Sequence, residues 1–227
     1  MNDSMYAQWL ALACGAFLLA GVLVLWRRDL AAIVRLFALQ GVALGAMVVV
    51  LGLRQGSVHL VAVAVGVGAL RAGLLPYLMR RALDTPPPGN GTAGEEARET
   101  RPLVNVATSL LAAAVLALVA YAVSQPIVRL SPGPATQAVP VALTVLLVGF
   151  FVLVTRRRAL SQVVGFLLID NAITATAFLT TSGVPLVVEL GVSLDVLLAV
   201  LVLQVLTTRM RAAFGGTDLG ELRELHD

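Results

Sequence analysis

Seven stretches of the chain are apolar almost without interruption, at about 5–26, 30–53, 58–79, 103–123, 138–155, 159–181 and 184–207. A helix needs ~20 mostly apolar residues to cross ~30 Å of hydrocarbon, and these runs have the length and the scarcity of charge for it. The pattern predicts an all-α, polytopic membrane bundle of seven transmembrane helices. The first run lacks a basic leader and stays apolar past Ala13-Cys14-Gly15, so it reads as a retained helix instead of a signal peptide. Segment 84–102, from Asp84-Thr85-Pro86-Pro87-Pro88 through Glu95, Glu96, Arg98 and Glu99, is dense in proline, glycine and charge and reads as a flexible cytoplasmic linker. A second loop is expected from Ser124-Gln125-Pro126 to Ser131-Pro132-Gly133-Pro134. The chain thus divides into a three-helix segment (1–83), the linker (84–102), a four-helix segment (103–213) and a tail (214–227).

Composition narrows the class. Of 227 residues, 59% are apolar and 13% charged, and the mean hydropathy is +0.92. Soluble domains run at ~45–50% apolar and ~25% charged. A soluble enzyme, a disordered chain and a disulfide-stapled secreted domain are excluded. Seven spans would use about 150 residues, leaving no separate soluble domain. One cysteine, Cys14, and two histidines, His59 and His226, supply too few ligands for a haem, zinc or iron–sulfur site. No cofactor and no metal are expected.

All sixteen basic residues are arginine. They gather at the ends of the apolar runs, so the net charge of +3 speaks for topology and for contact with the lipid bilayer, not for nucleic acid. With the N-terminus outside, the inner loops and tail hold Arg27, Arg28, Arg80, Arg81, Arg98, Arg101, Arg156, Arg157, Arg158, Arg209, Arg211 and Arg223. The outer loops hold only Arg54 and Arg129, and Arg35 and Arg71 lie within spans. This bias predicts an outside N-terminus and a cytoplasmic C-terminus. A faint parallel repeat sets Arg27-Arg28-Asp29-Leu30 against Arg157-Arg158-Ala159-Leu160, and at that offset Gln40 falls opposite Asp170.

Candidate chemistry lies where charge is costly. Asp170 and Asp195 are each the twelfth residue of their run, near mid-bilayer, where an acidic side chain costs ~2.5–3.5 kcal/mol on insertion scales. Two neighbouring carboxyls in hydrocarbon cannot easily both ionise, so such a pair can hold and hand on a proton. Glu189 stands six residues before Asp195, ~9 Å nearer the outer surface. Arg71 is the clearly intramembrane base, Arg35 can snorkel to the inner surface, and His59 is expected at the interface. A structural reading competes: Asp170 bonding Asn171 or Thr174, or pairing with Arg71 as a packing bridge. Thr174, Thr176, Thr180 and Thr181 read as helix–helix hydrogen bonding, and Gly66, Gly68 and Gly73 as points of close helix approach. There is no nucleophile triad, P-loop or dinucleotide fingerprint.

Two stretches resemble a known family. Arg156-Arg157-Arg158-Ala159-Leu160, followed by Val164-Gly165-Phe166-Leu167-Leu168-Ile169-Asp170-Asn171-Ala172, is similar to subunit K of the NADH–quinone oxidoreductase (complex I) family. Val192-Ser193-Leu194-Asp195 and the segment from Gln204 to Arg209 continue the likeness. Over the whole chain the sequence resembles component E of hydrogenase-4 and formate hydrogenlyase complexes. The resemblance rests on Val123-Ser124-Gln125-Pro126, Asp170-Asn171, Val188-Glu189-Leu190-Gly191, Asp195, and Arg71 ahead of Leu74-Leu75-Pro76. Relative to subunit K, both acids are shifted by three residues, with Leu167 and Leu198 in the glutamate places. Because the two helices run antiparallel, the pair moves as a unit by ~4.5 Å. Arg71 stands where component E typically has lysine. Arginine does not deprotonate in proteins, so it would tune neighbouring acids without relaying a proton.

The resemblance implies a non-redox membrane subunit of a hydrogenase-like or complex I-like assembly in a prokaryotic plasma membrane. It would have no catalytic centre of its own, and its partners would be antiporter-like and quinone- or hydrogenase-proximal chains. Asp170, Asp195, Glu189 and Arg71 would serve proton or sodium translocation, with Asn171 and His59 as secondary candidates. The competing expectations are a scaffold without its own ion path and a stand-alone transporter.

Overall fold

A computed structural model of the chain describes residues 2–84, 105–156 and 159–181. Every regular element among them is helical. Helix α1 spans Asp3–Trp26 and α2 Leu30–Gln55; α3, Val58–Gly68, runs through a π-helical turn, Ala69–Leu74, into α4, Leu75–Asp84. Then come α5, Val106–Leu130, the short α6, Pro134–Gln137, α7, Val139–Thr155, and α8, Ala159–Thr180. Six helices among the described residues are long and apolar enough to cross a membrane: Asp3–Trp26, Leu30–Gln55, Val58–Arg81, Val106–Leu130, Pro134–Thr155 and Ser161–Thr180. The seventh apolar run, 184–207, lies outside the described residues, as does most of the linker.

The helix ends follow local chemistry. The Asp29 carboxylate accepts from the Ala31 N–H at 3.1 Å and starts α2. Gly56, at φ 64°, ends it in the left-handed conformation that glycine adopts without steric cost. Ser57 then caps α3 by accepting from the Leu60 N–H at 3.3 Å.

One boundary departs from expectation. The fourth run continues as helix through Ser124-Gln125-Pro126 to Leu130 instead of breaking into a loop. Pro126 forfeits only its own N–H bond, to the Ala122 carbonyl, and a spanning helix tolerates that loss where its neighbours satisfy the backbone. The connection to α6 shortens to Ser131–Gly133, and Thr136 Oγ1 closes it by donating to the carbonyls of Ser131 and Gly133.

Apolar side chains form two layers. One joins Leu10 and Phe17 of α1 to Leu44, Met47 and Val48 of α2, Val139 and Val145 of α7, and Phe178 of α8. The other joins Val24 and Leu25 to Ile33, Phe37, Leu75, Met79, Val152, Val163 and Leu168. In α2, in the α3–α4 helix and in α8, Gln40, Arg71 and Asn171 fall between the residues of the two layers.

The tightest backbone approaches fall at glycines other than Gly68 and Gly73. A Cβ on Gly68 or Gly73 would meet nothing within 4 Å. A Cβ on Gly41 of α2, by contrast, would lie 2.8 Å from the Arg71 carbonyl carbon and 2.9 Å from the Ala72 nitrogen. A Cβ on Gly45, one turn on, would lie 3.5 Å from the Gly68 Cα, so α2 and α3 also come close at Gly68. Helices α7 and α8 meet the same way, a Gly149 Cβ coming 2.9 Å from the Ile169 nitrogen and a Gly165 Cβ 2.8 Å from the Leu153 nitrogen.

Arg156 ties the two halves together. It is buried, and its Nη2 donates toward the carbonyls of Val24 (3.1 Å), Leu25 (3.2 Å) and Arg27 (3.1 Å). These include orphan acceptors at the C-terminus of α1, where the helix dipole also favours a cation. Arg156 therefore joins its loop to the end of α1. Arg156→Ala should lower unfolding stability by about 2–3 kcal/mol. An SDS unfolding titration of the purified chain checks this, and Arg156→Lys should recover only part because a compact ammonium lacks the guanidinium fork.

Candidate functional site

The polar level between the apolar layers is built by three helices. Pro76 has no N–H to offer the Ala72 carbonyl, and just before it the ladder widens so that the Leu75 N–H bonds to the Leu70 carbonyl. Arg71 rides on this π turn, which presses against Gly41 of α2. On α8, Thr174 lies one turn beyond the adjacent Asp170 and Asn171.

Arg71 reaches all three. Its Nη1 sits 2.8 Å from Asp170 Oδ2 and donates to Asn171 Oδ1 at 2.7 Å, and its Nη2 donates to Thr174 Oγ1 at 2.8 Å. Asn171 Nδ2 in turn donates to Gln40 Oε1 at 3.0 Å. The result is a chain of polar groups across α8, the π turn and α2, with the arginine and aspartate charges balanced. The Arg71 side chain is 1% exposed and that of Asp170 11%, and both residues are buried within the described bundle. Gln40 Nε2 is buried beside Gly21 of α1 and has no hydrogen-bond acceptor among the described residues.

The expected site residues fare differently. Arg71, Asp170 and Asn171 come together. Asp195 and Glu189 lie outside the described residues. His59 is exposed in the first turn of α3, twelve residues before Arg71 and so ~18 Å away along a helix; it does not join the site. Of the threonines, Thr174 alone among the described ones bonds to another helix. Thr176, Thr180 and Thr181 donate back to the carbonyls of Ala172, Thr176 and Ala177 of their own helix. Gln40 was not a candidate, although an amide in the middle of an apolar run, opposite Asp170 in the faint repeat, is the signal that points to it.

Fold and site together define a multi-pass α-helical membrane protein with an arginine–aspartate pair buried at mid-span. The chain belongs to the family of the "Uncharacterized protein Rv0085" of Mycobacterium tuberculosis (strain ATCC 25618 / H37Rv), to which it is 51% identical over 227 residues, the full length of both. It is also 31% identical over 117 residues to "Hydrogenase-4 component E" of Escherichia coli (strain K12) and of Shigella flexneri. That likeness covers 52% of this chain and about half, 54%, of those relatives. No protein-family model matches the chain, and no solved structure does.

Proposed function

We propose that the chain is a non-redox membrane subunit of a hydrogenase-4-like respiratory assembly and lends Asp170 to its ion path. The observation that carries this reading is the buried Asp170–Arg71 pair at mid-span, 2.8 Å apart. An intramembrane acid of this kind is a functional group by default, because hydrocarbon selects against it. The partial likeness to hydrogenase-4 component E supports the choice of assembly.

In this reading Asp170 exchanges a proton or sodium ion, while Arg71 stays charged and sets how readily the carboxylate gives up its partner. Asp195 is the next acceptor, Glu189 leads toward the outer side, and Asn171 with Gln40 holds the geometry. The N-terminus lies outside and the C-terminus in the cytoplasm of a prokaryotic cell. Electron transfer resides on other subunits, and the neighbours in the membrane are antiporter-like and quinone- or hydrogenase-proximal chains.

One observation favours a second reading. The Arg71–Asp170 pair is neutral and well hydrogen-bonded, as a structural bridge in a scaffold subunit would be. Asp170→Asn separates the two, since asparagine keeps an oxygen for Arg71 but carries no titratable proton. The expected result is an assembled complex, seen by native electrophoresis, whose coupled ion pumping in inverted vesicles falls to background. Normal pumping by an assembled variant would sink the relay and leave the scaffold.

A further inference from the structure

Arg35 is the sixth residue of α2, ~7.5 Å into the span, and its side chain is 65% exposed. It does not face the core. It lies on the outward stripe that continues with Leu39, 49% exposed, and Val42, 56% exposed. A charge there must bend back to the membrane surface, and the structure records that bend. Nε donates to the Ala31 carbonyl at 3.3 Å, and Nη2 points back toward Asp29 Oδ2 at 3.8 Å. The ion pair is loose, since a charge-assisted bond measures about 2.7–2.9 Å, and Asp29 Oδ1 is already engaged in capping α2. Nη1 has no partner among the described residues. Beside Asp29 the chain carries exposed Arg28, then Arg27, whose guanidinium lies 5.7 Å from the Trp26 ring centroid, with Trp26 itself 57% exposed. Tryptophan with arginine marks the headgroup level of a bilayer.

We propose that Arg35, with Arg28, seats the phosphate of an anionic phospholipid in the leaflet at this end of the bundle, its acyl chains lying along Leu39 and Val42. The open guanidinium fork supplies two parallel donors, the geometry that phosphate oxygens accept. The apolar stripe directly above it selects a lipid over a free anion. The site stands clear of the Arg71–Asp170 pair and does not depend on any role for that pair.

The test uses the full chain in nanodiscs of phosphatidylcholine and phosphatidylglycerol, released into native mass spectrometry to count retained lipids. Phosphatidylglycerol should be retained over phosphatidylcholine, and Arg35→Gln should reduce that preference about fivefold. Arg35→Lys should keep most of it, and Arg28→Gln should lose part. Arg129→Gln, at the opposite end of the bundle, should leave it unchanged. Arg35 is exposed, so helical content by circular dichroism should match the parent in every variant. Equal retention of both lipids by the parent, or full preference in Arg35→Gln, would overturn the proposal. Displacement of the lipid by inorganic phosphate would overturn it too, by revealing a soluble-anion site, as would displacement by an acidic peptide, which would make the face a protein contact.

Discussion

Arg71→Met should destabilise the folded chain by about 3–5 kcal/mol, the range for breaking a buried ion pair by removing one partner. The loss comes from what remains. Asp170 is left at mid-span without the guanidinium 2.8 Å away, and Asn171 and Thr174 lose the donors that reach them at 2.7 and 2.8 Å. Removing both charges together should behave differently. Arg71→Met with Asp170→Leu replaces the pair by apolar volume, which is often neutral or stabilising, so the double variant should recover most of the loss. SDS unfolding titrations of the four proteins complete the cycle and isolate the coupling between the two residues. A single Arg71→Met variant that unfolds at the parent's midpoint would mean the pair contributes nothing to the fold.

The second large effect is expected at Gly41. An alanine methyl there would stand 2.8–2.9 Å from the carbonyl carbon and oxygen of Arg71 and the nitrogen of Ala72. These are backbone atoms and cannot swing aside like a side-chain tip. The π turn must therefore move away from α2, carrying Arg71 off its three partners on α8. Gly41→Ala should cost about 1–3 kcal/mol as overpacking, with the lost Arg71 contacts in addition. Gly15→Ala and Gly68→Ala are the controls, because a Cβ at either position meets nothing within 4 Å. They should be neutral or gain up to about 1 kcal/mol from helix propensity. Equal thermal stability for Gly41→Ala and these controls would rule out the close approach.

What could be read beforehand divides along physical lines. Six of the seven apolar runs correspond to helices among the described residues, because lipid demands unbroken apolar stretches and leaves them plain in any sequence. Asp170 and Arg71 were visible for the complementary reason: a charge in hydrocarbon is costly and stands out. Gln40 was less visible since an uncharged amide interrupts an apolar run at lower cost, and nothing in one helix says which neighbour it will meet. The π turn has no signature of its own; its cause is Pro76 acting on the preceding carbonyl while Gly41, some thirty residues away, makes room. Arg156 sat in a run of three arginines that reads naturally as a sidedness signal, and its burial against the α1 carbonyls depends on packing between distant helices. Pro126 misled in the other direction. Its usual meaning is a break, but a spanning helix can keep its form through one missing hydrogen bond.

Pairing Arg71 with Asp170 has an electrical consequence. While both groups are ionised, the mid-span level carries no net charge, and the transmembrane voltage does almost no work on it. A proton arriving at Asp170 changes that, leaving one unbalanced positive charge on Arg71 about halfway through the dielectric. One elementary charge moved across the whole membrane is worth about 2.3 kcal/mol per 100 mV, so half that distance is worth about 1.2 kcal/mol. Protonation at this level is therefore coupled to the membrane potential whichever surface delivers the proton. The same fixed positive charge would repel any cation approaching this level.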